Sequence, residues 1–213
     1  TRYMRFWTKA SANEEWTAST ALRIGKGMVV MNMETLKPME IEERSFAIIT
    51  RELGDGVLEE EKAPIIKRVI HTTADFDYVN TLCFSENAVQ IALDALKSGA
   101  DIVTDTKMAL AGINKPTLEK LGGRVHCFVS DEDVAEEAKA EGITRASVSM
   151  RKAARTLNKP TIFAIRNATT ALLELDRLIK AGEIRPAFVV GVPVGFVHVC
   201  ESKEIIMESG VPY

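Results

Sequence analysis

The stretch RVIHTTADFDY, residues 68 to 78, carries an apolar helical pattern up to a histidine and then turns to threonines and aspartates. His71 stands at or just past the end of that helix, where the helix dipole favours a cation. An imidazolium in that place can lend a proton near neutral pH, the work of a general acid. The same histidine also reads as an ordinary helix ending, so its role depends on its surroundings. The two other histidines are His126 and His198. His126 and Cys127 point to opposite faces of one strand, and His198 with Cys200 supplies only two ligands, short of a metal site. No metal site is expected.

Three further segments could carry chemistry. In ITRASVSMRKAAR, Thr144 is a helix cap and Arg145 falls in the first turn, where a cation opposes the dipole unless an anion lies beside it. Arg151, Lys152 and Arg155 read as a solvated face. RNATTAL directly follows a strand, so the amides near Asn167 and the residues Thr169 and Thr170 face the carboxyl edge of the sheet as a seat for an anion. Simple capping by Asn167 or Thr169 explains the same residues. GVPVGF, residues 191 to 196, places Gly191 and Gly195 after a strand, where backbone can approach a ligand or make a tight turn. It lacks the lysine and threonine of a phosphate loop. A serine hydrolase is not supported, because there is no GxSxG elbow.

The elements that position these residues alternate between strand and helix. MVVMNM (28 to 33) reads as a strand, 39–53 as a helix through Ile41, Phe46, Ile49 and Leu53, and 57–71 as a helix kinked or restarted at Pro64. A helix capped by Ser85 presents Val89, Ala92 and Leu96 on one face and stops at Gly99. Strands follow at 101–105, 124–130, 161–166 and 187–193. Between them lie a helix opened by Ser130, one from Thr144 to Leu157, and one over 167–182. Apolar strands separated by helices imply a parallel sheet covered on both faces. The expected fold is therefore α/β, a three-layer α/β/α sandwich. In such sheets ligands sit beyond the carboxyl ends of the strands, which singles out Asp105, Thr106, Ser130, Asn167, Thr169 and Gly191 to Gly195.

Composition limits the partners. The chain has 213 residues, is 46% hydrophobic and carries a net charge of −3, enough apolar material for a substantial core and no broad basic footprint for nucleic acid. Cys83, Cys127 and Cys200 lack the spacing of a disulfide framework or zinc site and read as small hydrophobes or at most one reactive thiol. No apolar run approaches the roughly 20 residues that span a bilayer. A cytoplasmic protein is expected. Residues 1–27 differ in composition from the rest and read as an N-terminal extension to a single α/β domain over 28–213.

The segments IEERSFAII, VIH, ALKSGADIVTDTKMALAGI, TRAS, NATTALLELDRLI, GVPVGFVHVCESKE and GVPY, in this order, resemble the precorrin-8X methylmutase family, also called cobalt-precorrin-8 methylmutase or precorrin isomerase. The resemblance runs from about Ile41 to Tyr213. It implies a flavodoxin-like sheet, a homodimer with a tetrapyrrole bound near the subunit interface, and no cofactor. The implied reaction moves a methyl group between neighbouring carbons of precorrin-8, metal-free or with cobalt, giving hydrogenobyrinate or cobyrinate in vitamin B12 biosynthesis. It implies that His71 donates a proton or hydrogen bond to the macrocycle and that Ser45 and Arg145 contact the substrate. Thr144, Asn167, Thr170 and Gly195 complete the expected binding set. The family usually has glycine and proline where this chain has Arg166 and Thr169. A non-catalytic carrier of tetrapyrroles, or a flavodoxin-like module for an unrelated anion, would share the same fold.

Overall fold

The computed structural model describes residues 37–213 except Asp55 and Val57. The expected extension over 1–27 and strand over 28–33 lie outside the described residues. Two compact units divide the chain, one ending at Leu82 and one running from Cys83 to Tyr213.

The first unit is helical where described. Helix α1 (Pro38–Leu53) opens with proline in its first turn and with the Glu40 carboxylate accepting the Lys37 N–H at 3.0 Å, and it ends at Gly54. Helix α2 (Ala63–Thr73) restarts at Pro64, one of the two outcomes expected for the 57–71 segment, rather than kinking through it. It begins there, because a proline in the first turn lacks only an N–H that would have had no intrahelical partner. Ile66 and Ile70, one turn apart, are its buried residues, a narrower stripe than the four expected. Ala74 closes α2 in the left-handed region, φ 55°, and a one-turn helix α3 (Tyr78–Thr81) follows.

The second unit is a three-layer α/β/α sandwich. Strands β1 (Asp101–Thr104), β2 (Val125–His126), β3 (Thr161–Ile165) and β4 (Phe188–Gly191) are all parallel, in the order β2-β1-β3-β4. That order matches a flavodoxin-like sheet. Alternate residues divide two cores, as the period of a strand requires. Val103, Phe163, Ile165 and Val189 pack against helices α8 (Arg145–Thr156), α9 (Thr169–Lys180) and α10 (Val199–Glu208). Ile102, Ile162 and Phe188 pack on the other side against α4 (Ala88–Lys97) and against Leu118 of α6 (Lys115–Lys120). Short α5 (Lys107–Gly112) follows β1, and α7 (Glu132–Glu141) packs on α8 through Val134, Ala138 and Val148. Gly123 precedes β2 because a Cβ there would collide with the Ala100 carbonyl oxygen.

Three local expectations are corrected. Ser85 is not the cap of α4. Asn87 holds that place, and Ser85 is engaged by Tyr213, donating to its carbonyl at 2.9 Å and accepting its N–H at 3.0 Å. Strand β2 has two residues rather than seven, since the carbonyls that would extend it are taken by side chains: His126 O by Thr104 and Cys127 O by Lys107. Ser130 does not open α7. Asp131 precedes that helix without capping it, because its carboxylate is drawn to the Lys152 ammonium at 2.8 Å.

Candidate active site

In the sandwich unit the strand order reverses between β1 and β3, and a crevice at the carboxyl ends of those strands is the usual place for a ligand. Asp105, the residue after β1, is 1% exposed there. Its Oδ1 accepts the N–H of Arg166 at 3.0 Å, and its Oδ2 accepts those of Asn167 and Ala168, each at 2.7 Å. The anion seat expected at Asn167 is thus filled by the protein's own carboxylate. Neither Asn167 nor Thr169 caps α9, whose cap position is Ala168 with no side-chain bond. Asn167 keeps an exposed side chain at this edge.

Helices α8 and α9 start side by side. Thr144 caps α8 by accepting the Ser147 N–H at 3.2 Å, and its hydroxyl lies 2.8 Å from that of Thr170. Ser147 adds a bond to the Thr170 carbonyl at 3.3 Å. Two residues expected to bind substrate, Thr144 and Thr170, are therefore in contact. Arg145 follows at the first position of α8, exposed, with no acidic residue in that turn. It has no carboxylate partner among the described residues. The basic residues one to three turns on differ: Arg151 joins Glu174 and Glu141 at 2.7 and 2.6 Å, Lys152 joins Asp131 and Asp133, and Arg155 joins Glu137. These three are ion-pair residues rather than a merely solvated face. The hydrogen bonds from Lys152 hold the Asp133 carboxyl below the usual carboxylate range.

Gly195 lies in the loop after β4, exposed, at φ 147°, a conformation side chains rarely adopt. Around it Val192, Val194, Phe196 and Val197 are exposed, and Val190 on β4 as well. These exposed apolar residues run from the carboxyl end of β4 into the loop, whereas Phe188 and Val189 at the start of the strand are buried.

In the helical unit, His71 occupies the last turn of α2 and is exposed. Its ring stacks on Phe46 of α1, centroids 5.5 Å apart and planes 27° apart. The Arg68 guanidinium lies 4.8 Å from the centroid of the same phenyl ring and donates to Glu42 at 2.7 Å. That bond holds the Glu42 carboxyl below its ordinary range, with a smaller contribution from the charge of His71. Ser45 is half-buried on α1 and donates its hydroxyl to the Ile41 carbonyl at 2.8 Å, leaving its lone pairs for a ligand.

Two shallow concavities of about 200 Å³ each are lined by Thr50, Leu53, Leu58, Ala63 and Lys67 in one case and by Lys115, Leu118, Glu119, Arg124 and Val125 in the other. Neither holds an expected site residue, and both are below the roughly 300 to 1,000 Å³ of a ligand pocket. Among the described residues no three His, Cys, Asp or Glu side chains are grouped to hold a metal ion.

The family model described as Precorrin-8X methylmutase matches residues 40–213. The chain belongs to that family. Among its curated methylmutase relatives, the cobalt-precorrin-8 methylmutase of Priestia megaterium is 48% identical over 84% of this chain and 79% of its own length. That of Salmonella typhimurium is 42% identical over 83% of this chain and 84% of its own. Among solved structures, the precorrin-8X methylmutase of Thermus thermophilus superposes with a TM-score of 0.72 at 37% identity, over 81% of this chain and 84% of that one.

Two features of this methylmutase-family chain escape a reading of the sequence. Asp105 is legible as a residue after a strand, but its three amide partners are 61 to 63 residues away. Phe46 falls on an apolar helical stripe, and nothing in the spacing distinguishes a core phenylalanine from one that faces a histidine.

Proposed function

We propose that His71 is the proton donor of an intramolecular methylmutase. The chain is an isomerase of the methylmutase type, acting on precorrin-8X or cobalt-precorrin-8 in vitamin B12 biosynthesis. In the reaction the bond from the methyl to one ring carbon breaks as a bond to the neighbouring carbon forms, so substrate and product have the same atoms. Any proton His71 lends as the methyl moves must return before the product leaves. No nucleophile is needed.

The observation that carries the assignment is the exposed imidazole at the end of α2, within a chain 48% identical to a cobalt-precorrin-8 methylmutase. Arg145, without a carboxylate partner among the described residues, stands at the start of α8 and suits a ring fringed with carboxylates. Thr144, Thr170 and Asn167 add hydroxyl and amide groups at that edge, Ser45 adds a hydroxyl in the helical unit, and the apolar residues beside Gly195 suit the face of a macrocycle. The Asp105 carboxylate excludes a substrate carboxylate from the amides it occupies, leaving that role to Arg145. The apolar run from Val190 to Val197 also suits burial against a second copy, and a homodimer is part of the proposal. The free thiols of Cys127 and Cys200 suit a reducing cytoplasm.

The test is incubation of purified protein with precorrin-8 or its cobalt form. Wild type converts the spectrum to that of the corrin product, and His71→Ala binds the tetrapyrrole but turns over about 10²- to 10⁴-fold more slowly. Unchanged turnover in that variant removes His71 from the mechanism. Stoichiometric binding by wild type without conversion would instead mark a carrier.

A further inference from the structure

We infer that Phe46 is a positioning residue for the His71 imidazole, and that the Glu42–Arg68 ion pair holds Phe46 in that role; this rests on His71 being the proton donor. A histidine that must deliver a proton is commonly oriented by a hydrogen bond from its second nitrogen to a carboxylate or carbonyl. His71 has no such bond to any described residue. It is also exposed on the last turn of a helix, where an unrestrained ring would sample several rotamers and spend little time aligned with a substrate. Among the described residues, the contact that restrains it is the Phe46 ring at 5.5 Å and 27°. Stacking confines the plane of the imidazole and leaves both nitrogens open, which suits a donor that must face a large flat ligand.

The phenyl ring is itself held. Arg68 precedes His71 by one helical turn and places its guanidinium 4.8 Å from the same ring centroid, while Glu42, one turn before Phe46 on α1, accepts from Arg68 at 2.7 Å. The four side chains thus alternate between two helices: Glu42, Arg68, Phe46, His71. Because the Arg68 bond keeps the Glu42 carboxyl below its ordinary range, the pair stays charged at any pH where His71 works.

Kinetics with precorrin-8 and NMR of the three histidines decide the matter. Phe46→Leu is expected to lower kcat about tenfold with KM changed less than twofold. The His71 ring resonance, assigned by its disappearance in His71→Ala, should lose its ring-current shift. Phe46→Tyr restores both, because it keeps the ring and its place. Arg68→Leu, an exposed change that spares the α1 stripe, is expected to lower kcat about threefold and to move the same resonance partway. Wild-type kcat in Phe46→Leu, or a Phe46→Tyr variant as slow as Phe46→Leu, overturns the inference. Should Phe46→Leu not fold, wild-type kcat and an unmoved resonance in Arg68→Leu overturn it instead. If His71→Ala keeps its activity, the proton-donor reading itself falls. If His71→Ala is inactive while Phe46→Leu is wild type, only the positioning role falls.

Discussion

The two units support their proposed site residues by opposite means. In the sandwich, the turn bearing Asn167 is fastened from beneath by a carboxylate that is 1% exposed and bonded to backbone amides. In the helical unit, the His71 ring stacks on Phe46, and Phe46, Arg68 and Glu42, which are linked to one another, are exposed or half-buried side chains. The buried arrangement belongs to the fold, and disturbing it should disturb stability and binding together. The exposed one is separable from the fold, so His71 can be misdirected while the chain stays folded.

The contrast is sharpest at Asp105. Asp105→Ala strands three amides of the turn after β3, and hydrogen bonds to a charged group are each worth about 1.5 to 3 kcal/mol net. Because the turn can recover some bonds from water, the expected loss is about 3 kcal/mol of unfolding free energy, read by urea titration, with a raised KM. Asp105→Asn should lose less, since one amide oxygen still accepts but its NH₂ faces a donor. A loss under about 1 kcal/mol in the alanine variant, small against the roughly 1.5 to 3 kcal/mol of even one such bond, would place the turn on the same footing as the His71 cluster.

A smaller effect is expected at Ala74, which closes the helix bearing His71 at φ 55°. A left-handed L-residue costs about 1 to 2 kcal/mol, and glycine returns part of that as chain entropy. Ala74→Gly should therefore stabilise by about 0.5 kcal/mol in the same titration. The substitution also shows whether loosening the end of α2 slows turnover.

The smallest effect is common to the two units and is read by pH. Glu42 beside Arg68 and Asp133 beside Lys152 both have carboxyls held below their ordinary range. A depressed carboxyl contributes stability above its unfolded value, and the contribution fades as pH falls through the folded one. Arg68→Leu and Lys152→Leu should each lower Tm slightly at pH 7, and the difference from wild type should shrink as pH falls below the ordinary carboxylate range. A difference that persists in acid would mean that packing of the arginine or lysine stem, rather than its charge, was lost.

Elements whose signals lie within one turn of chain were legible without any coordinates. Thr144 caps α8 as its sequence implies, because a cap bonds an amide three residues on. Gly99 adopts φ 84° after α4, as a helix stop requires. The parallel sheet followed from apolar strands between helices, and the family from a run of segments in order. Ser85 misled because a serine before a helix looks the same whether it caps that helix or bonds elsewhere, and Ser130 because Asp131 takes the place before α7.

By itself the sequence determined the three-layer fold, the family and the residues that follow β1, β3 and β4, since periodicity and motif order are properties of neighbours in the chain. Tertiary structure alone decided which partner each polar group took: Ser85 with Tyr213 across 128 residues, Asp105 with the turn at 166–168, and Lys152 with Asp131. It also decided that Phe46 faces His71. A local pattern states that a group needs a partner. Only the packing of distant elements brings one candidate within hydrogen-bond or stacking distance and excludes the rest.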